Sequence, residues 1–367
     1  MVSGLEDVVA AETILSDVDG QSGRLIIRGQ SLDELVKYAT FESVLTLLWE
    51  GFFKALPSAS DMLMLLGAAR QEVFEHLDAA DSEIVKQPAV DAVRALIARL
   101  PDADDVASAL LLVAAPAVFT PGIIRLQRKL PPIAPNAKLG HAADMLRMLS
   151  GETPTREQAS ALDRYLVTVS DHGLNASTFA ARVVASTRAG LTSATLAALS
   201  ALKGPLHGGA PGPVLDALDS IDSPEQASAW LQDALDRGER LMGFGHRVYR
   251  VRDPRADALK EAIKTLAQAG QVDSDRLRLA ESVEAAALDL LARKKPNRPL
   301  QTNVEFYTAL LLEALGLPRE AFTCVFAAGR SGGWIAHARE QMMNGRLIRP
   351  QSRYIGPQPG PRREAAA

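Results

Sequence analysis

The stretch Leu241-Met-Gly-Phe-Gly-His-Arg-Val-Tyr-Arg-Val-Arg-Asp-Pro-Arg255 sets the terms for the rest of the chain. Gly243 and Gly245 permit a tight turn and close approach of a ligand to the backbone. His246 follows, and then four arginines: Arg247, Arg250, Arg252 and Arg255. Asp253-Pro254 reads as a helix N-cap with proline in the first helical position. A loop carrying one histidine and several fixed positive charges therefore feeds into a new helix. This suits a small, multiply anionic ligand. An exposed basic loop with a stray histidine would look the same in isolation.

Outward from that loop, nearly everything reads as helix. Apolar residues recur at helical spacing in Phe41–Phe53, Ser58–Leu77, Ala89–Leu100, His141–Leu149 and Arg156–Ser170. The pattern resumes in the Ala-rich runs Ala176–Ala189 and Thr192–Leu202, and again in Val214–Leu218, Pro224–Arg237, Arg255–Ala269 and Arg276–Arg293. Val304–Leu315 and Phe322–Met343 close the chain, separated by the stop signal Gly316-Leu-Pro318. Pro116 and Pro121 divide the apolar run after residue 104 into two expected helices, Asp104–Ala114 and Ile123–Leu130. The one β region is residues 11–29, where Asp19-Gly-Gln-Ser-Gly23 joins two short strands as a hairpin. The fold class is all-α, mainly helical with a small N-terminal β-hairpin.

Composition narrows the function. The chain has 367 residues, enough for two domains or for one large domain with a lobe. A net charge of −4 gives no reason to expect nucleic acid or a membrane surface as partner. Ala107–Phe119 reads as too short to cross a bilayer, so no membrane association is expected. Cys324 is the single cysteine, which rules out an intrachain disulfide and fits a reducing compartment. The opening Met-Val-Ser-Gly-Leu-Glu-Asp lacks the basic-then-apolar pattern of a signal peptide, and a cytoplasmic location is expected.

Three of the six histidines sit among glycines in loop-like breaks: His172 in Asp171-His-Gly-Leu-Asn175, His207 in Gly204-Pro-Leu-His-Gly-Gly209, and His246. Backbone turns position them, which favours function over core filling. His76, His141 and His337 lie within helix patterns and read as structural or surface residues. No close ligand pair suggests zinc, so no metal is expected. A phosphate-binding Gly-x-x-x-x-Gly-Lys-Ser/Thr loop is absent, as is a Gly-x-Ser-x-Gly nucleophile turn. Asn303 is a helix cap, and Glu305 falls in the first turn, where the helix dipole favours an ionised carboxylate able to act as a base. An ordinary first-turn glutamate would show the same pattern. Arg330, among Ala, Gly and Ser inside an apolar helix, needs an anionic partner. Arg349 precedes the tail, where a plain surface arginine is the simplest reading.

Together these pieces resemble the citrate synthase family, and its shorter bacterial and archaeal members in style. The resemblance runs from Gly4-Leu-Glu-Asp-Val-Val-Ala-Ala-Glu-Thr13 to Arg349-Pro-Gln-Ser-Arg-Tyr354. It is carried by Gly-Pro-Leu-His-Gly-Gly, Gly-Phe-Gly-His-Arg-Val-Tyr-Arg and Asp-Pro-Arg in that order. It implies a large helical domain formed by 1–207 and 312–367, a small closing domain over 208–311, and a homodimer. The implied substrates are oxaloacetate and acetyl-CoA, with no cofactor beyond the coenzyme A thioester itself. His207 would bond the thioester carbonyl and stabilise the enolate. His246 would bind the keto oxygen of oxaloacetate and give it a proton. Glu305 stands where the best-known members have aspartate as the base, so its carboxylate sits on an arm one methylene longer. His172, Arg255 and Arg330 match oxaloacetate-binding positions, and Arg349 the arginine supplied in trans by the other subunit. Leu241, Met242, Gly243, Phe244 and Gly245 match main chain that contacts the adenine of CoA.

The chemistry of the residues agrees with this. Abstracting a thioester methyl proton needs a carboxylate on one side and a donor at the carbonyl on the other. A helix N-terminus near His207 would keep its imidazole neutral, and arginine forks suit a dicarboxylate. Two alternatives remain at this stage: a 2-methylcitrate synthase taking propionyl-CoA, and a catalytically silent citrate- or CoA-binding regulator. His207, His246, Glu305 and Arg255 together argue against the silent regulator.

Overall fold

The computed structural model describes residues 4–5, 8–79, 81–208, 211–245, 249, 251, 253–296 and 300–358. The chain opens with a three-stranded antiparallel sheet of β1 (Ser16–Asp19), β2 (Arg24–Ile27) and β3 (Gln30–Ser31). The β1–β2 hairpin pairs Ser16 with Ile27 and Asp19 with Arg24, as the Gly-rich turn requires. The Asp19 carboxylate accepts the backbone N–H groups of Gln21 and Ser22 (3.0 and 3.1 Å), which closes the turn. The short third strand has no period of its own in the sequence and exists because Ile26 pairs with Ser31.

Helices follow: α1 (Leu32–Tyr38), α2 (Phe41–Trp49), α3 (Ala59–Glu75), α4 (Ser82–Val85), α5 (Ala89–Ile97), α6 (Val106–Gln127), α7 (His141–Ser150) and α8 (Arg156–Val169). After them come α9 (Ala176–Ala185), α10 (Leu191–Leu202), α11 (Pro211–Asp219), α12 (Ala227–Asp236), α13 (Pro254–Gln268), α14 (Ser274–Lys294), α15 (Val304–Ala314) and α16 (Phe322–Asn344). Side-chain caps set many of the starts. Thr40 and Thr155 form capping boxes with Ser43 and Gln158, and Asp105, Asn175, Asp253 and Asn303 accept first-turn N–H groups.

The helix α6 corrects the expectation of two helices divided by prolines. Pro116 and Pro121 lie inside one continuous helix, and every residue from Ser108 to Ile124 is buried. A proline within a helix costs about 3 kcal/mol. Here α3, α5, α7 and α16 pack around α6 and offset that cost with apolar burial along its whole length. The same continuity corrects the reading that this run is too short to span a bilayer. At 22 residues α6 is long and apolar enough by composition, but 94% of its most apolar stretch is buried within the protein, so it is the core helix.

The second axis is α16, which packs on α6, α8, α9 and α10. Glycines at 329, 332 and 333 bring it close to its neighbours. A Cβ at Gly329 would fall 3.2 Å from the Cα of Leu166 on α8, and Trp49 Nε1 on α2 donates to the Gly332 carbonyl (3.0 Å). A second group forms where α11 and α13 pack against α15 and α12 packs against α14, and α13 also leans on α8. The junction of these groups, at α8, α13, α15 and α16, carries Arg255, Glu305 and Arg330.

Candidate active site

The opening loop is positioned by its glycines. Gly243 and Gly245 have φ of +86° and +78°. A Cβ on Gly243 would fall 2.9 Å from the Phe306 ring, and one on Gly245 would fall 2.8 Å from Leu300. Both constraints exclude a side chain. The freed backbone bonds to the segment that precedes α15. Gly245 N donates to the Gln301 carbonyl (2.7 Å), Asn303 N to the Gly243 carbonyl (2.9 Å) and Asn303 Nδ2 to the Gly245 carbonyl (2.7 Å). Asn303 thus joins the glycine loop to α15 and also caps that helix through Glu305 N (3.0 Å). Beside Leu241, Met242 and Phe244 lies a cavity of about 280 Å³, walled by Val214, Trp230 and Leu231. His246, with Arg247, Arg250 and Arg252, lies outside the described residues.

Asp253 does more than cap α13. Its carboxylate takes Arg255 Nε and Nη2 in a fork (3.0 and 2.9 Å) and also accepts Val304 N at the start of α15 (3.1 Å). One buried carboxylate therefore fixes a cationic fork and the helix that carries Glu305. Tyr249 lies under the Arg255 guanidinium, 5.3 Å from ring centre to Cζ. Burial works against the charge on Arg255, but Asp253 overcompensates and raises its pKa above the ordinary range.

Glu305 departs from the expectation of a first-turn carboxylate kept ionised. Burial pushes its pKa up to about 7; Arg255 and Arg330 pull it down, while Asp253 adds to the rise. Desolvation of the cleft outweighs the helix dipole, whose effect is under about 2 kcal/mol. The result is a carboxyl group that titrates near neutral pH rather than one that is always ionised.

His207 sits in a turn closed by hydrogen bonds from its own N to the Gly204 carbonyl and from Gly208 N to the Leu202 carbonyl (both 2.9 Å). Its pKa is pushed down to about 4 by burial first and the Arg330 charge second. The imidazole is therefore neutral near pH 7. His207 Nε2 lies 2.9 Å from Ser177 Oγ, which also accepts the indole N–H of Trp334 (3.1 Å) and donates its own proton to Asn175 Oδ1 (2.8 Å).

Arg330 is fully buried on α16. Its Nε donates to the Val169 carbonyl, and its guanidinium lies 4.8 Å from the Phe326 ring centre. Neither Nη1 nor Nη2 has a hydrogen-bond partner among the described residues. Burial lowers its pKa to about 10, so it is charged at neutral pH. Its field acts on His207, Glu305 and Asp171 together. A buried cation with two unused donors calls for an anion from outside.

His172 is half-buried at the mouth of α9, with Nδ1 3.5 Å from Asn175 Nδ2. Behind it, His337 is fully buried. Its Nδ1 accepts Arg182 Nε (3.1 Å) and its Nε2 lies 3.2 Å from Asp171, which also accepts Ser16 Oγ (2.5 Å). His337 is thus structural, as the sequence suggested, yet it braces the loop that carries His172. Arg349 is exposed in the segment after α16, which is held by Ile348 N to Ser186 Oγ (3.1 Å) and by Gln341 Nε2 to the Arg346 carbonyl (2.9 Å). It does not join the cluster within this chain. No cluster of metal-ligating side chains occurs among the described residues.

A neutral imidazole and a carboxyl group that titrates near neutrality, both in the field of one arginine with unused donors, suit proton transfer beside a small anion. Comparison with known proteins identifies the kind of protein. The sequence profile described as "Citrate synthase, C-terminal domain" matches residues 4–351. A citrate synthase of Haloferax volcanii is 37% identical, covering 96% of this chain and 95% of its own. A 2-methylcitrate synthase of Mycobacterium tuberculosis is 36% identical, covering 96% and 90%. The solved ternary complex of Thermoplasma acidophilum citrate synthase with carboxymethyl coenzyme A and oxaloacetate superposes with a TM-score of 0.85 at 28% identity, over 97% of this chain and 96% of that one. The chain belongs to the citrate synthase family. It is an acyltransferase that condenses an acyl-CoA with oxaloacetate.

Proposed function

We propose that acetyl-CoA is the acyl donor and that the residues gathered around Arg330 carry out its condensation with oxaloacetate to citrate. The observation that carries this reading is the pair of opposite shifts around one arginine: His207 pushed down to about 4 and Glu305 pushed up to about 7. Oxaloacetate is bound by Arg255, Arg330, His172 and His246, and the unused Nη groups of Arg330 receive one of its carboxylates. Glu305 removes a proton from the thioester methyl group. A His207 N–H donates to the thioester carbonyl as it becomes the enolate oxygen. The enolate carbon attacks the keto carbon of oxaloacetate, and His246 protonates the keto oxygen. Water then cleaves the thioester in the same site.

In this reading residues 208–311 form a small domain that closes on a large one made of 1–207 and 312–367. The loop Leu241–Gly245 and the cavity beside it receive the adenine of CoA. No metal or redox cofactor takes part. Arg349 is delivered to the site of a partner subunit in a homodimer, and the enzyme works in the cytoplasm. Two relatives of nearly equal identity bear different acyl names, so the acyl choice is tested directly. Steady-state rates with acetyl-CoA and propionyl-CoA side by side should give the higher kcat/KM for acetyl-CoA. A higher value for propionyl-CoA would make the enzyme a 2-methylcitrate synthase. One methylene in an apolar pocket discriminates by about 1–3 kcal/mol, roughly 10- to 200-fold.

A further inference from the structure

The reaction described so far gives the N-terminal sheet no part, yet β1 is built against the loop that carries His172. Ser16 and Val18 project from the same face of β1. Ser16 Oγ donates to Asp171 Oδ2 (2.5 Å), immediately before His172. Immediately after it, Gly173 has φ of +83°, and a Cβ there would fall 3.7 Å from Val18 Cγ2 and 3.8 Å from Ser16 Oγ. One strand therefore touches the neighbours of His172 on both sides.

The same loop is seated on α16. The Val169 carbonyl accepts Arg330 Nε, a Cβ at Gly333 would overlap the Ser170 carbonyl, and Asp171 Oδ1 lies 3.2 Å from His337 Nε2. Residues 330, 333 and 337 share one face of the helix. Arg182 Nε can only donate, so His337 Nδ1 accepts it through a lone pair (3.1 Å), and the ring proton on Nε2 points at Asp171. Arg182 also donates to Gln341 Oε1 (3.0 Å) and to Glu340, and Glu340 Oε1 accepts Ile14 N (2.9 Å). Glu340, Arg182, His337 and Asp171 are all buried, and the row they form begins and ends on residues 14 and 16. Burial opposes the charge on Asp171, but His337, Arg330 and Ser16 outweigh burial and hold its pKa below the ordinary range. A buried charge in such a row is held in place, because removing one partner leaves it uncompensated.

We propose that Ser16 is a positioning residue for oxaloacetate binding: β1, acting through Asp171, holds His172 where it meets the substrate. This rests on His172 being a ligand of oxaloacetate in the reading above. The strand itself adds no contact to the substrate. It removes freedom from the loop before the substrate arrives, and preorganisation of that kind appears as affinity.

Ser16→Ala deletes one half-buried hydroxyl and keeps the backbone pairing with Ile27, so the fold should persist. By calorimetry, oxaloacetate Kd should rise about tenfold, the size of one lost hydrogen bond to a charged group, while kcat at saturation should stay within about threefold of wild type. On the far side of Asp171, glutamine reaches as far as imidazole Nε2 and asparagine does not. His337→Gln should therefore bind oxaloacetate more tightly than His337→Asn, a second reading that stands even where Ser16→Ala is unstable; equal affinities would count against the role of Asp171. His172→Asn should weaken binding by itself, and adding Ser16→Ala to it should change nothing further. Wild-type affinity in a folded Ser16→Ala, beside weakened binding in His172→Asn, would overturn the role of β1 and leave His172 as a ligand. Full additivity in the double variant would also overturn it, by showing that Ser16 acts elsewhere. Undiminished binding in His172→Asn would instead remove the assignment on which the proposal rests.

Discussion

Glu305→Gln should make the free protein more stable and nearly inactive, and the gain in stability should depend on pH. The carboxyl has a pKa of about 7 in the fold against an ordinary value of 4.5. Between those two values the native state holds a proton that the unfolded chain has released, so native stability declines as pH rises through that window. Above pH 7 the ionised group sits half-buried in the cleft, at a cost of up to about 3 kcal/mol at about 1.4 kcal/mol per pH unit. Glutamine matches the protonated acid in size and never ionises. The variant should therefore exceed the wild type by about 1 kcal/mol at pH 5.5 and by about 3 kcal/mol at pH 8. Urea denaturation of the ligand-free proteins at the two pH values reads this directly. Over the same substitution kcat should fall by about 10²- to 10⁴-fold. An equal stability difference at both pH values would show that Glu305 is solvated in the free enzyme, and the account of a tuned base would fail.

Other expectations follow from the same geometry. In the wild type, kcat/KM should fall as pH drops below about 7, the value set by Glu305, with His207, held at about 4, adding no second limb near neutrality; a limb near pH 4.5 would contradict this. Ser177→Ala removes the group that fixes His207 Nε2 (2.9 Å). It should lower kcat by about 10²-fold, the usual effect of misaligning a reacting group by about 1 Å, with little change in oxaloacetate KM; an unchanged kcat would separate Ser177 from catalysis. Arg330→Met removes a buried cation whose two Nη groups have no partner among the described residues. It should leave the thermal midpoint at or above wild type and weaken oxaloacetate binding by about 10- to 100-fold. Calorimetry showing normal binding would remove Arg330 from the substrate site. Mixed dimers of Arg349→Ala and His246→Ala subunits, each inactive alone, should regain activity in the one site that carries neither lesion. Verified hybrids that stay inactive would count against delivery of Arg349 in trans.

Much of this was legible in the chain because the informative residues are ones whose type restricts the backbone. Gly243, Gly245 and the Asp253-Pro254 cap announced the turn and the helix start, and both are present. Arg330 was conspicuous as a charge among small residues, and it is buried with open donors. Periodicity failed where packing outweighed local preference. Prolines 116 and 121 read as breaks, yet they sit within the most buried helix, because surrounding helices supply what the backbone loses. The causes of the pKa shifts were also hidden. The helix-dipole argument could be made from the sequence, but the desolvation that raises Glu305 depends on α8, α13 and α16 meeting there. Residues acting through others left the faintest trace. Asp253 was visible as a cap but not as the link between Arg255 and Val304, and Ser177 appeared only as a neighbour of Asn175. Trp334 looks like an ordinary apolar helix position until three-dimensional proximity shows its indole N–H bonded to Ser177 Oγ.

The central claim is that Glu305 takes the proton from the acyl methyl group. The most direct test is exchange of the methyl protons of acetyl-CoA into deuterated water, in a complex with a non-condensing oxaloacetate analogue, where no later step can mask the first. Wild-type enzyme should exchange these protons, and Glu305→Gln should slow the exchange by about 10²- to 10⁴-fold while still binding the analogue with wild-type affinity. Exchange at the wild-type rate in Glu305→Gln would mean that another group is the base.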